Sequence, residues 1–298
     1  MNLETIFNKR VITESSKQLY ITKLKFLNDN KPLKNLNIFN DPNKILEKIK
    51  QFKKNTQRTY IISVVTLLAT LKQQDKCPKK TKNMYDTYLK ILENFNEILQ
   101  DQTEITEGTK IISNEVINEV YENLKMNKDN SLENFQRYLI LSLYYLIPPR
   151  RNLDYQQLKY VEEYNDDMSV DYNYYDGNNK IYFINYKTRG KYNKQIINIP
   201  NDLKEILDEH IKKNEIKNDE LILNDYKNKR KLVGTNAITL ILNKIFNNNV
   251  GCSCLRRSYL TNTFSEKQQQ LKNDVEIMGT SLNMASNNYI KKSNIIYC

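Results

Sequence analysis

Arginine, lysine and tyrosine occur in four separated segments of the chain, and these residue types together can act on a phosphodiester. The segments are 148–158, 186–190, 253–261 and 278–289. Two arginines can hold the negative charge that gathers on an attacked phosphate, because each guanidinium is a rigid fork of donors. A lysine can protonate the departing oxygen, and a tyrosine hydroxyl, with a pKa of about 10, can attack phosphorus and become covalently attached.

The first two segments supply cations and one acid. PPRRNLDYQQL places Arg150 and Arg151 at the end of an apolar helix, with Asp154 three residues after Arg151. YKTRG places Lys187 in the turn between two predicted strands. Any one of these residues is typical of a protein surface, so the information lies in their order along the chain.

The last two segments supply a further arginine and the tyrosine. SCLRRSYLT opens a predicted helix and carries Ser253 and, three residues later, Arg256. Gly279 and Thr280 follow, and Tyr289 comes nine residues after Thr280. Clustered Asp and Glu, the usual ligands of Mg²⁺, do not accompany these residues, so we expect chemistry without a metal or another cofactor.

The order and spacing of these motifs resembles the tyrosine recombinase (phage integrase) family, and within it the integrase-like proteins of large DNA viruses and virophages. The similarity extends over nearly the whole chain, but the specific motifs occupy only about residues 146–158, 186–190 and 253–289. The resemblance implies a helical core-binding domain followed by a catalytic domain with a small sheet.

The resemblance also assigns roles residue by residue. Arg151 and Arg256 match the two arginines that hold the phosphate, Lys187 matches the general acid, and Tyr289 matches the nucleophile. Arg150 would shift the first motif by one residue and is the weaker candidate. Asp154 sits where the family has its acidic residue.

Two positions depart from the family pattern. Ser253 stands where the family usually has His, and Thr280 where it has His or Trp. Serine and threonine donate hydrogen bonds to a phosphate oxygen but cannot act as a base near pH 7, so slowed or lost chemistry stays open. The single histidine, His210, lies elsewhere, and we expect it to be an exposed helix residue.

The resemblance implies a site-specific recombinase or integrase, acting for example in the integration of a viral genome, that cuts and rejoins double-stranded DNA through a 3′-phosphotyrosine. Four copies of the chain would assemble on two DNA sites. A type IB topoisomerase, which uses the same residues as a monomer, is one alternative. The other is a DNA-binding protein with impaired catalysis.

Charge distribution favours a nucleic-acid partner. Of the formal net charge of +11, residues 1–100 account for +10, with 19 Lys and Arg against 9 Asp and Glu, and such a basic domain favours a polyanion. The predicted DNA-binding residues lie in the approach to, or the first turn of, two predicted helices: Lys53, Lys54, Arg58, Lys79, Lys80 and Lys82.

The longest apolar runs are too short to span a bilayer, and the N-terminus lacks the apolar core of a secretion signal. The four cysteines, Cys77, Cys252, Cys254 and Cys298, suggest neither a disulfide framework nor a zinc site. We therefore expect an intracellular protein without a membrane partner, located with its target DNA in a host nucleus or a cytoplasmic viral factory.

Hydrophobic periodicity predicts the elements that position the four segments. We expect a mainly α protein with a small antiparallel β-sheet (α+β), consisting of a basic helical core-binding domain at 1–103, a linker at 104–108 and a catalytic domain at 109–298. Three short runs rich in Tyr, Ile and Val predict a meander with strands at 169–175, 180–186 and 194–199. The predicted helices are 15–28, 41–52, 56–71, 84–99, 114–126, 131–146, 202–213, 235–247, 255–266, 273–278 and 283–290.

The charge distribution generates a first prediction. Affinity for nonspecific duplex DNA should fall steeply with salt, because lysines and arginines displace counterions from the phosphates. Deleting residues 1–103, which include most of the surplus charge, should flatten the dependence of log affinity on log salt, measured by fluorescence anisotropy. A deletion variant that keeps the full slope would contradict the assignment of this domain.

Overall fold

The chain divides into two units, Met1–Gly108 and Thr109–Cys298. The computed structural model describes residues 1–73, 77–105, 111–225, 232 and 234–290. Of the predicted linker at 104–108, residues 106–108 lie outside the described residues, whereas 104 and 105 are the last two residues of a helix. No helix in the described ranges is both long and apolar enough to cross a membrane.

Unit 1 is helical, as its apolar spacing predicts. Its core is built around the fourth helix, in which Ile61, Val64 and Leu67 are fully buried. One short helix before residue 10 was not predicted, and the fifth helix is longer at both ends than its apolar stripe. The helices are α1 (Leu3–Phe7), α2 (Glu14–Leu27), α3 (Pro42–Ile49), α4 (Lys54–Lys72) and α5 (Lys79–Ile105), with a 3₁₀ turn at Asn37–Phe39.

Helices α4 and α5 form an antiparallel hairpin. At the start of α4, the Lys54 ammonium lies 5.7 Å from the centre of the Phe95 ring. At its end, the Lys72 ammonium lies 3.2 Å from the Asp86 carboxylate. The N-termini of the two helices therefore lie at opposite ends of the hairpin.

Unit 2 is a mixed structure whose helices surround one small sheet. Its strands are β1 (Leu158–Tyr160), β2 (Asn173–Tyr175), β3 (Lys180–Phe183) and β4 (Gln195–Asn198). Its helices are α6 (Asn114–Met126), α7 (Leu132–Tyr145), α8 (Asn152–Gln156), α9 (Arg189–Tyr192), α10 (Asn201–Asn214), α11 (Ala237–Ile245), α12 (Cys252–Ile277) and α13 (Leu282–Met284), followed by a π-helix at Ala285–Tyr289.

The sheet has the order β1-β2-β3-β4. Strands β2, β3 and β4 are antiparallel neighbours, which is the predicted meander. The expectation of a purely antiparallel sheet is wrong, because β1 pairs parallel to β2, with Leu158 opposite Asn173. Strand β1 has only three residues, and its partner follows a loop of twelve residues, so no local alternation marks it. Unit 2 is thus an α+β fold with a mixed sheet.

Helix α7 is the centre of the unit 2 core. Leu139, Ile140, Leu141 and Leu143 are all fully buried, as expected for a helix that is apolar around its circumference. Ser131 caps it, accepting a hydrogen bond from the Asn134 N–H at 3.0 Å. Helix α11, in contrast, begins after Asn236 without a side-chain cap.

Two other elements differ from the predictions. Residues 255–278 were expected to form two helices, but α12 is continuous, since the intervening KQQQLK consists of good helix formers. The predicted tight turn around Lys187 is an eleven-residue connection that contains α9.

His210 is fully buried, so the expectation of an exposed residue is wrong. Its ring stacks on Phe135 with the centres 5.8 Å apart, and its Nε2 lies 3.0 Å from the Ile222 carbonyl oxygen. Burial lowers the pKa of His210 from 6.5 to about 4. The histidine therefore belongs to the core as a neutral ring.

We predict an acid-sensitive contribution of His210 to stability. Its pKa is lower in the folded than in the unfolded chain, so the unfolded state gains the proton first as pH falls below 6.5. Unfolding of unit 2 should become easier by about 2–3 kcal/mol between pH 7 and pH 4.5 from this group.

His210→Gln removes the titration and keeps an N–H donor, so its melting temperature should fall less over the same pH range. The measurement is thermal unfolding followed by circular dichroism at both pH values. Equal falls in the variant and the unmodified protein would show that His210 is not protonated on unfolding.

Candidate active site

Arg150 is fixed at the junction of α7, α8 and the sheet. Its Nε donates to the Asp154 carboxylate at 3.0 Å, and a second guanidinium nitrogen donates to the Gln195 side chain at 2.8 Å. The guanidinium carbon lies 3.8 Å from the centre of the Phe183 ring and 4.8 Å from that of Tyr186. Arg150 therefore ties α8 to β3, β4 and the connection between them.

Asp154 is the buried partner of this ion pair. Its side chain is 4% exposed and that of Arg150 is 14% exposed. Burial raises the pKa of Asp154, and the positive charge and hydrogen bond of Arg150 oppose that rise. The positive charge of Arg151 also opposes the rise in the pKa of Asp154.

Arg151 is the residue immediately before α8. The next residue, Asn152, accepts a hydrogen bond from the Tyr144 hydroxyl and donates one to the Thr239 hydroxyl, both at 2.8 Å. Thr239 in turn packs against Gly251, where a Cβ would lie 3.5 Å from the threonine methyl. Because α12 begins after Gly251, these contacts bring Arg151 to the start of α12.

Arg256 lies in the second turn of α12, beside the same buried tyrosines. It acts electrostatically on both Tyr144 and Tyr155, as does Asp154. Arg151 and Arg256 are half-buried, and neither side chain makes a hydrogen bond or an ion pair with a described residue. Arg151 precedes α8 and Arg256 lies near the start of α12, two elements that Asn152 and Thr239 bring together, and both arginines keep donors available for an anionic group.

Two further predicted residues belong to or adjoin these elements. Ser253 is exposed in the first turn of α12, where the helix N-terminus adds partial positive charge. Lys187 is exposed and directly follows Tyr186, whose ring contacts Arg150. The connection that carries Lys187 is therefore held beside Arg150.

Gly279 and Thr280 end helix α12. Gly279 has a positive φ of 67°, and its N–H donates to the Glu276 carbonyl at 3.0 Å. The Thr280 N–H donates to the Val275 carbonyl at 2.9 Å. This is a Schellman motif, which satisfies the last carbonyls of a helix and favours glycine.

The continuous helix separates Thr280 from Arg256. Val275 lies nineteen residues after Arg256 along α12, which at 1.5 Å per residue is about 28 Å. Since Thr280 bonds to Val275, it lies about 20 Å or more from Arg256. Tyr289 is the last residue of the π-helix that follows α13.

The predicted set is thus divided. Arg151 and Asp154 lie at the start of α8, and Ser253 and Arg256 lie at the start of α12, which α8 approaches through Asn152 and Thr239. Lys187 follows a residue that contacts Arg150, and Thr280 lies at the far end of α12.

The predicted DNA-binding lysines and arginine form two groups. Lys53, Lys54 and Arg58 lie at the start of α4, beside residues 95 and 96 of α5. Lys79, Lys80 and Lys82 lie in the first turn of α5, roughly 20 Å away along that helix. At 3.4 Å per nucleotide, this separation is about six phosphates along one strand.

Sequence reasoning missed the residues that hold the arginines in position. The contacts described above involve Tyr144, Asn152, Thr239 and Gln195. In each contact the two bonded residues belong to different parts of the fold. No local motif marks such pairs. The described residues contain no cluster of His, Cys, Asp and Glu able to hold a metal ion.

Comparisons of this chain with protein-family models, curated proteins and solved structures find no match.

The geometry predicts that the adjacent arginines differ in their effect on stability. Arg150→Ala should destabilise unit 2 by about 3 kcal/mol, because it leaves Asp154 buried without a counter-ion. Arg151→Ala should change stability by no more than about 0.5 kcal/mol, because its guanidinium has no described partner to lose. Urea unfolding of the two variants measures the difference; equal losses would contradict the structural role of Arg150.

Proposed function

We propose that the chain is a DNA strand-breaking and rejoining enzyme of the site-specific recombinase or integrase type. The observation that carries this proposal is the pair of half-buried arginines, Arg151 and Arg256, which lie at the starts of two adjoining helices and have no ionic partner among the described residues. Unpaired guanidinium groups held by a rigid scaffold suit a phosphate whose charge grows during reaction. The type of reaction is inferred from the resemblance of the motifs to those of the tyrosine recombinase family.

In the proposed cleavage step, one bond to phosphorus forms and one bond to phosphorus breaks. The Tyr289 hydroxyl oxygen attacks phosphorus and loses its proton to solvent, while the bond from phosphorus to the 5′ oxygen breaks. Lys187 donates a proton to that oxygen, and the DNA 3′ end remains attached to the tyrosine. Attack by a 5′ hydroxyl of another strand reverses the step, so no nucleotide cofactor is consumed.

We propose that Tyr289 of one chain attacks DNA held by the arginines of a neighbouring copy of the chain. Helix α12 carries Thr280 about 20 Å or more from Arg256 of the same chain. Residues 263–270 of α12 are exposed throughout, and Ile277, Met278 and Ile290 are exposed apolar residues near its end. We define residues 263–290 as the arm. An arm of this kind suits insertion into a second protomer of a DNA-bound tetramer, where its Tyr289 would meet the arginines.

The distance between Thr280 and Arg256 also distinguishes the proposed recombinase from the two alternative functions. A monomeric type IB topoisomerase needs the nucleophile and both arginines in one chain. A DNA-binding protein without catalysis needs no nucleophile, and the separation of Thr280 from Arg256 is the observation that favours it. Each alternative predicts an outcome in a cleavage assay that differs from the outcome expected for a recombinase.

The test is covalent capture on nicked suicide DNA drawn from candidate target sequences. The full chain should form an adduct that resists SDS, and Tyr289→Phe should abolish it, because the phenolic oxygen is the atom bonded to DNA. DNA affinity, measured by gel shift, should stay within about twofold, since a single uncharged hydroxyl is lost.

Tyr259→Phe is the matched control. Tyr259 lies on α12 three residues after Arg256 and makes an edge-to-face contact with Phe264, so the change should lower adduct yield by less than about tenfold. An adduct that persists in Tyr289→Phe would move the nucleophile elsewhere. Sound DNA binding without any adduct would favour the non-catalytic alternative, and supercoil relaxation without strand exchange would favour the topoisomerase.

A further inference from the structure

Asn173 is a fully buried polar residue in strand β2. Its backbone belongs to the sheet: it lies opposite Leu158 of β1, and its N–H donates to the Gln157 carbonyl at 2.9 Å. Its side-chain amide is not needed for that pairing. Because a buried amide is costly unless its donors and acceptors are satisfied, the partners of this amide indicate what it holds together.

The amide of Asn173 makes four hydrogen bonds, the full number that its two donors and its two acceptor positions allow. Its oxygen accepts from the N–H groups of Ile184 and Asn185, both at 2.8 Å. Its nitrogen donates to the Asp154 carbonyl at 2.7 Å and to the Asn185 carbonyl at 3.0 Å. One side chain thus joins α8 to the two residues that directly follow β3.

These two residues begin the connection that carries Lys187. Tyr186, the next residue, is fixed by two contacts: its ring centre lies 4.8 Å from the guanidinium carbon of Arg150, and its hydroxyl donates to the Asn193 carbonyl at 2.5 Å. Lys187 follows, is exposed, and forms no ion pair with a described residue. The connection is therefore held at its base, and the ammonium of Lys187 stays available.

The same amide is linked to the backbone of Arg151. Its acceptor on α8 is the carbonyl of Asp154, and the N–H of Asp154 donates to the Arg151 carbonyl at 3.0 Å. Hydrogen bonds therefore run without a break from the Arg151 backbone, through Asp154 and Asn173, to Ile184 and Asn185. A buried network in which every member is satisfied is rigid and specifies one arrangement. Proton donation to a departing oxygen needs such a fixed spacing between the acid and the groups that hold the phosphate.

We propose that Asn173 is a positioning residue for Lys187: by joining the start of the Lys187 connection to α8, its amide sets the place of the lysine relative to Arg151. This inference rests on the proposed cleavage function, in which Lys187 protonates the departing 5′ oxygen. Asn173 itself touches no reacting atom. Loss of its amide donors should therefore impair proton donation and leave DNA binding unchanged.

The test compares ordinary nicked DNA with sulfur DNA, in which a sulfur atom replaces the bridging 5′ oxygen at the cleavage position. When Tyr289 attacks phosphorus in sulfur DNA, the phosphorus–sulfur bond breaks and the sulfur keeps the electron pair. The thiolate leaves without a proton, because a thiol has a pKa of about 8.5, far below that of an alcohol. Lys187→Ala should therefore slow adduct formation about a hundredfold or more on ordinary DNA and less than about threefold on sulfur DNA.

Asn173→Asp is the most informative variant, because it keeps the shape of the side chain and the acceptors for the Ile184 and Asn185 N–H groups. At pH 8.5, roughly four units above the ordinary pKa of an aspartic acid, the carboxylate offers no donor to the Asp154 carbonyl. Adduct formation should fall at least tenfold on ordinary DNA and stay within about threefold on sulfur DNA, with unchanged DNA affinity by gel shift. Equal losses on both DNAs, or no loss on either, would overturn the inference.

Two further variants separate this effect from charge and from loss of folding. Asn198→Asp adds a negative charge at an exposed residue of β4 and should leave adduct formation on both DNAs within about twofold. A selective loss on ordinary DNA equal to that of Asn173→Asp would overturn the inference. Asn173→Ser is uncharged and too short to join α8 to both N–H groups, so it should show the same selective loss, with folding checked by circular dichroism.

Hydrogen exchange of the unmodified full chain tests the link itself, without DNA or catalysis. The Ile184 and Asn185 amide hydrogens should exchange as slowly as those of β3, because both are bonded to a buried oxygen. Exchange as fast as that of exposed Lys187 would overturn the inference.

The outcomes distinguish this inference from the proposed function. An unmodified chain that forms no adduct on either DNA would contradict the cleavage function, and with it the role of Asn173 in proton donation. A selective loss in Lys187→Ala that a folded Asn173 variant does not share would overturn the inference alone and leave the cleavage function standing.

Discussion

The buried ion pair between Arg150 and Asp154 is the constraint on which the rest of unit 2 depends. Arg150 bonds to α8 through Asp154 and to β4 through Gln195, and its guanidinium lies over rings from β3 and the following connection. Removing a charge from water is expensive, so such a pair is retained only with good geometry. Its position fixes the backbone of Arg151 and the connection that carries Lys187.

Arg150 and Arg151 are neighbours in sequence, but their surroundings differ. Arg150 has its charge compensated by the fold, whereas Arg151 and Arg256 make no ion pair with a described residue and keep their donors available. Positive charge is therefore concentrated where the Tyr144–Asn152–Thr239 contacts bring α8 to the start of α12. A phosphate would meet donors already in place, which is the condition for electrostatic stabilisation of a developing charge.

The sequence predicts the periodic elements of this fold well and its nonlocal contacts poorly. Helices such as α6 and α7 follow directly from apolar spacing and caps, and the meander follows from its turn residues. Strand β1 was missed because its pairing is nonlocal. His210 was misjudged because histidine is polar, although its spacing from Leu203 and Leu207 places it on the buried apolar face of α10. The arginine region was predicted from motif order, but its positioning residues were not, since each acts across elements distant in sequence.

Helix α12 joins the two halves of the proposed site and also separates them. Arg256 lies near its start, and the arm at 263–290 carries Tyr289 from its far end. Where two helices were expected, one continuous helix places Thr280 about 20 Å or more from Arg256. We therefore propose that a complete site contains residues from two copies of the chain.

Mixing two inactive variants tests this requirement most directly. Arg256→Ala retains the nucleophile, and Tyr289→Phe retains both arginines, so each alone should fail to form an adduct with nicked DNA. Combined, they should restore covalent attachment, and mass spectrometry should find the DNA on Tyr289 of the Arg256→Ala chain. An unmodified protein that forms the adduct while the mixture does not would contradict the shared site and require both groups to act within one chain.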